Sequence, residues 1–251
     1  MHPHLVGFVT LACLVSSVLL GNWLRSVLPA HHLDLDAKDT VRVAMALVAT
    51  MAALVLGLLV ASTKSAYDTE RNEITQMASR ILFLDRLLKA YGPEADGART
   101  ELKEASQSAL STLWPVQPRT STAAGPSDAW SRALPKAVFA LTPHDESQSA
   151  VKSQAVRIAT ELGEVRWLLF EQAETSISKP MLIVVVAWLA ILFLSLGLFA
   201  PRNYTVFSAL VLSAASAAGA LYLIFDLDTP FSGTIMISSQ PMQTALEHMI
   251  K

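Results

Sequence analysis

Residues 43–63 read VAMALVATMAALVLGLLVAST, and the next five are Lys64-Ser65-Ala66-Tyr67-Asp68. The first 21 of these residues contain no Asp, Glu, Lys or Arg. A helix needs about 20 apolar residues to cross the hydrocarbon of a bilayer, so this stretch reads as a membrane span. The chain then turns polar, but no proline or glycine occurs before Gly92. The sequence therefore predicts a helix that leaves the membrane and continues well beyond it. Three more uncharged windows of spanning length lie at Leu5–Leu24, Pro180–Pro201 and Asn203–Phe225. The four windows hold 86 of the 251 residues, and the other 165 carry all 19 basic and 21 acidic residues. Outside the windows the charge density is that of an ordinary soluble domain, about 25%.

These windows predict an all-α polytopic membrane protein, with four transmembrane helices and a helical soluble insert between the second and third. Spans one and two fall in residues 1–63, at about 5–27 and 41–63, and residues 64–179 form the insert. Spans three and four occupy 180–225, and 226–251 form a C-terminal tail. The first window is read as a retained span, because Met1–His4 carries no Lys or Arg and no clean small-residue cleavage site follows. Trp23 suits the interface at its end. Four crossings put both termini on the insert's side. Lys64, Arg71, Arg166 and Lys179 lie near the span ends on that side, against Arg25, Lys38, Arg42 and Arg202 on the other. The positive-inside count is a tie.

Composition excludes several classes. The net charge of −2 and the lack of a basic tract argue against a nucleic-acid partner. The single cysteine, Cys13, forbids an internal disulfide and reads as a small buried hydrophobe. No Gly-rich phosphate loop, nucleophile elbow or His-Glu-x-x-His motif is present, so no catalytic residue, metal or cofactor is expected. His31-His32 with Asp34 and Asp36 is the nearest thing to a ligand cluster, and it lacks the spacing of a closed site.

The insert carries two heptad-like stripes. Ile74, Met77, Ile81, Leu84 and Leu88 form one, and Val151, Ala155, Ile158, Leu162, Val165 and Leu169 form the other. Each wants a partner helix, which predicts two long helices packed antiparallel, the second running on into span three. Arg157, Glu161, Glu164, Arg166, Glu171 and Glu174 read as the wet face of the second. A third helix is expected from about Glu94 to Leu113, with Leu102, Ala105, Ala109 and Leu113 on one face. Pro115–Pro126 reads as loop and Ser127–Leu141 as a short helix. Thr142-Pro143 reads as an N-cap followed by proline at the first helical position.

The junction Ala66-Tyr67-Asp68 resembles the bestrophin channels, whose second membrane helix ends in an Ala-Tyr-Asp segment. It looks still more like a bacterial bestrophin-like family, in which a run such as Val48–Leu58 precedes that segment. Asp228-Thr229-Pro230-Phe231-Ser232-Gly233 is similar to the Pro-Phe-Gly element after the last span of that family. The order of parts agrees as well. Thr69 stands where the family has arginine, and no acidic calcium clasp follows Phe231. The resemblance implies a homopentamer in a bacterial inner membrane, with the insert and both termini cytoplasmic. It also implies passive conduction of chloride-like anions along the second span.

On that span Ala46, Thr50, Ala53, Gly57, Ala61 and Lys64 share one helical face. Two readings stand side by side. Small faces let helices pack tightly in lipid. Alternatively the face lines a pore, with Thr50 as its hydroxyl and Lys64 ringing the mouth. In the second case any constriction is wider than in the family, or is built from Met51 or Leu54. Lys64 also suits snorkelling or an i, i+4 pair with Asp68. Asp226 and Asp228 either accept amide groups of the tail turn or are solvated. The alternative to a channel is a non-conducting helical bundle, anchored in the membrane as a sensor or assembly scaffold.

Overall fold

The computed structural model describes residues 3–29, 35–114, 128–172, 179–201, 203–231 and 233–250. Every regular element among them is helical: α1 (Pro3–Val27), α2 (Leu35–Tyr91), α3 (Asp96–Leu113), α4 (Asp128–Phe139), α5 (Glu146–Gln172), α6 (Lys179–Phe199), α7 (Tyr204–Leu227) and α8 (Gln240–Ile250). α1, α2, α6 and α7 are each long and apolar enough to span a membrane. The chain divides into two compact units. One comprises Met1–Tyr67 with Thr175–Ile235, and the other Asp68–Glu174 with Met236–Lys251.

In the first unit α1 buries Val6, Thr10, Leu14 and Val18, and α6 buries Val185, Leu189 and Phe193. Both stripes run at a spacing of four, so each helix offers one ridge to a neighbour. Gly21 and Gly197 extend the two stripes and bring the helices together. A Cβ on Gly21 would stand 2.8 Å from the Leu198 nitrogen, and one on Gly197 would stand 3.0 Å from the Val18 Cα. α7 closes this core with Ala214, Leu221 and Ile224. α2 contributes Leu59, with Val55 and Leu56 partly buried around it. Arg25, near the end of α1, donates to the Ala200 carbonyl just beyond α6.

The second unit is a helical bundle. α2 runs without interruption for 57 residues, about 85 Å at 1.5 Å per residue. Its outer half buries Ile74, Met77, Ile81, Leu84 and Leu88, the expected stripe. α5 buries Ala155, Ile158, Ala159 and Leu162, with Val151 and Val165 half-buried. Two links fix its direction. Arg80 faces Glu161 at 3.6 Å, and the Gln148 side-chain amide donates to the Tyr91 carbonyl at 3.0 Å. Residue numbers rise along α2 as they fall along α5, so the two helices are antiparallel. Glu161 is therefore not a solvated residue. It is half-buried and joins Arg80 to Arg157, the latter at 2.7 Å. The stretch 173–178, which holds the junction of α5 with α6, lies outside the described residues, as do the loop 115–127 and the side chain of Leu169.

The start of α5 differs from expectation. The helix begins at Glu146, not after Thr142. Asp145 Oδ1 accepts the Gln148 amide at 2.6 Å, and Gln148 Oε1 accepts the His144 amide at 2.8 Å. This reciprocal pair satisfies amides at the helix start, so Asp145 outcompetes the hydroxyl three residues earlier. α3 is preceded by one 3-10 turn, Pro93–Ala95, entered through Gly92 at φ 121°. α8 lies in the stretch expected from sequence only as a C-terminal tail. It buries Met242, Ala245, Leu246 and Met249 and packs against α3, while Trp114 Nε1 donates to the Ile237 carbonyl at 2.8 Å.

Candidate functional site

α2 is the least covered span. Only 11% of its apolar window is buried, against 28%, 22% and 22% for α1, α6 and α7. Its buried residues, Ala52, Leu59 and Thr63, follow one side of the helix. Ala46, Thr50, Ala53, Gly57, Ala61 and Lys64 lie on the other side, and all six are exposed. Space beside the stripe is open: a Cβ on Gly57 would meet nothing within 4 Å. Val43, Leu47, Leu54 and Leu58, each more than 60% exposed, form a bulky stripe beside the small one. Met51 is exposed on the same flank. The chain's own tight helix crossing thus uses Gly21 and Gly197, and the small face of α2 takes no part in it.

Thr50 donates its hydroxyl to the Ala46 carbonyl at 2.8 Å. With its proton committed there it offers an acceptor oxygen outward, and it donates to an anion only by giving up this bond through rotation about Cβ–Oγ1. The Lys64 ammonium stands 5.2 Å from the centre of the Tyr67 ring, within cation–π reach. Tyr67 is buried and Asp68 and Ala66 are half-buried, with Lys64 exposed beside them.

The second motif is a built turn. Asp226, fully buried at the end of α7, accepts the Thr234 amide at 2.7 Å on Oδ1 and the Ile235 amide at 2.8 Å on Oδ2. The Gly233 amide donates to the Thr229 carbonyl at 2.9 Å, and the Thr229 hydroxyl returns to α7. Pro230 is buried within this turn, and Phe231 and Asp228 are half-buried. A Cβ on Gly233 would stand 2.7 Å from Asp226 Oδ1, so the close approach of the carboxylate requires glycine there. Asp226 therefore takes the amide-accepting role that the sequence had left open between it and solvent. Tyr222 adds a hydroxyl contact to Thr234 at 2.7 Å and stacks on His4.

Residues 12–242 match the family model of the bestrophin-like domain. The chain belongs to the bestrophin-like family. Its fold agrees with three variants of a bacterial bestrophin homologue from Klebsiella pneumoniae, each carrying one substitution. They superpose with TM-scores of 0.71, 0.70 and 0.72 at 13% identity. The superpositions cover 98%, 94% and 99% of this chain and 97% of each of those chains. At that identity the likeness establishes the bestrophin fold. No curated protein sequence is significantly similar to the chain. The bestrophin-like chain is a membrane protein; its Ala-Tyr-Asp element lies within α2, just past the apolar stretch, and its Pro-Phe element follows the end of α7. Among the described residues no three His, Cys, Asp or Glu side chains converge as a metal site, and His31, His32 and Asp34 lie outside them.

Proposed function

We propose that the chain is one subunit of a homopentameric pore that conducts chloride-like anions passively, with α2 facing the central axis. The observation that carries this reading is the uncovered stripe Ala46, Thr50, Ala53, Gly57, Ala61 and Lys64 on a span otherwise anchored to the bundle. A span left bare over most of its apolar length needs either lipid or further copies against it. A ring of copies gives the small face a lumen and the adjacent stripe, Val43, Leu47, Leu54 and Leu58, a subunit contact. Five Lys64 ammonium groups around one axis concentrate anions and repel cations. Membership of the bestrophin-like family supports the same reading. In this arrangement the insert and both termini are cytoplasmic.

Two measurements test it. The native mass of the detergent-purified complex is expected at five copies of the 27.1 kDa chain, 5 × 27.1 = 135.5 kDa. Reconstituted in a bilayer under a chloride gradient, the complex is expected to pass a current that reverses near the chloride potential. A monomer or dimer, or the absence of any current, would move the non-conducting scaffold to first place, and a reversal at the cation potential would overturn the anion selectivity.

A further inference from the structure

α3 presents Asp96, Arg99, Thr100 and Lys103 at positions i, i+3, i+4 and i+7, which is one helical face. With Asp85 of α2 and Met249 of α8 these residues line a cleft of about 210 Å³ in the insert unit. At roughly 30 Å³ per water, that is the volume of about seven waters, enough for a small solute. Asp85 is only 8% exposed, and its Oδ1 accepts from Arg99 Nε at 2.9 Å. Arg99 Nη1 lies 3.8 Å from Asp96 Oδ1. Arg99 is thus engaged by both carboxylates and is held in place along the cleft. Lys103, one turn further along α3, is half-buried and makes no ion pair among the described residues. Asp96 is 71% exposed in its side chain and has only the long contact to Arg99.

The lining carries two acids and two bases, so its formal charge cancels. A free anion is drawn by Lys103 and opposed by Asp96, and a free cation meets the converse. A solute with both charges a few ångströms apart satisfies each end. We propose that this cleft binds a small zwitterion of the α-amino acid class. Its carboxylate is held by Lys103 and the remaining Arg99 donors, its ammonium by Asp96 and Asp85, and its side chain lies against Met249. The site does not rest on the pore reading, because none of its residues is on the exposed stripe of α2.

The test uses the full chain in detergent, titrated calorimetrically with glycine, L-alanine and L-serine, and separately with sodium acetate and with ethylammonium chloride. The amino acids are expected to give saturable heats in the millimolar range. Acetate and ethylammonium are each expected to bind at least roughly tenfold more weakly. Lys103→Gln and Asp96→Asn change exposed or half-buried groups without disturbing the Asp85–Arg99 pair. Each is expected to keep the wild-type melting temperature and to weaken amino-acid binding by roughly tenfold. No saturable binding of any of the three amino acids, acetate binding as tightly as glycine, or unchanged affinity in both variants would overturn the proposal.

Discussion

Gly21 of α1 and Gly197 of α6 meet backbone to backbone. A Cβ on Gly21 would stand 3.1 Å from the Gly197 carbonyl carbon and closer still to other main-chain atoms of α6. Those atoms are held in helical hydrogen bonds and cannot swing aside as a flexible side chain would. Gly21→Ala and Gly197→Ala are each expected to force the helices apart and cost about 1–3 kcal/mol. Gly57→Ala, with open space around it, is expected to leave stability unchanged. Thermal melts of the three variants in detergent check this, and equal losses at all three positions would count against the close crossing.

The spans were legible because a window without charge is a property of composition, and no tertiary information is needed to see it. The stripe Ile74–Leu88 was legible because polar residues flank it and leave one helical side to bury. The partnership of α1 with α6 was not legible. Within a span Leu, Val and Ala are equally at ease facing lipid or protein, and nothing in sequence links Gly21 to Gly197. α8 does carry a helical period in Met242, Ala245, Leu246 and Met249. Its 11 residues are short for an isolated helix, and the surface that stabilises it belongs to α3, far upstream.

The Asp226 carboxylate organises the turn after α7 through two backbone amides. Asp226→Ala orphans both and is expected to destabilise the protein by about 2 kcal/mol. Asp226→Asn keeps one acceptor and is expected to lose less. Amide exchange at Thr234 and Ile235 is expected to accelerate in the alanine variant before exchange elsewhere does. Unchanged protection of these two amides would show that the carboxylate does not hold the turn.

The site itself was only half legible. Ala46 through Lys64 could be placed on one face from spacing alone, yet spacing cannot say whether a small face is covered. That depends on the direction in which Leu59 and Thr63 enter the bundle. The Asp85–Arg99 cleft was hidden for a different reason. Its residues lie on either side of the Gly92–Pro93 reversal, and their convergence depends on the positive φ of Gly92.

Tyr91, at the end of α2, is 2% exposed, and its hydroxyl has no hydrogen-bond partner among the described residues. Burial raises its pKa above the ordinary 10.0, and the carboxylates of Glu94 and Asp145 add to the rise. The folded state thus holds this proton more tightly than the unfolded state. The associated stability is full below pH 10 and is lost as pH rises through the folded pKa. Tyr91→Phe removes an unsatisfied hydroxyl and no hydrogen bond. It is expected to melt at or above the wild-type temperature at pH 7 and to show a smaller alkaline decline. A marked loss at pH 7 would reveal a partner for the hydroxyl.

Gly57 and Lys64 separate the pore from the packed alternative most sharply. Gly57→Leu adds bulk where nothing stands within 4 Å, so the subunit is expected to fold and melt as the wild type does. If α2 faces a lumen, five added side chains narrow it and the conductance falls severalfold. If the small face packs between copies, the same change disrupts assembly and lowers the native mass. Lys64→Glu reverses the charge at the exposed end of the stripe and is expected to move the reversal potential toward that of the cation. The shift should shrink in concentrated salt, because the screening length drops from about 10 Å at 0.1 M to about 3 Å at 1 M. An unchanged reversal potential at low salt would take Lys64 out of the conduction path and leave it a headgroup anchor beside Tyr67.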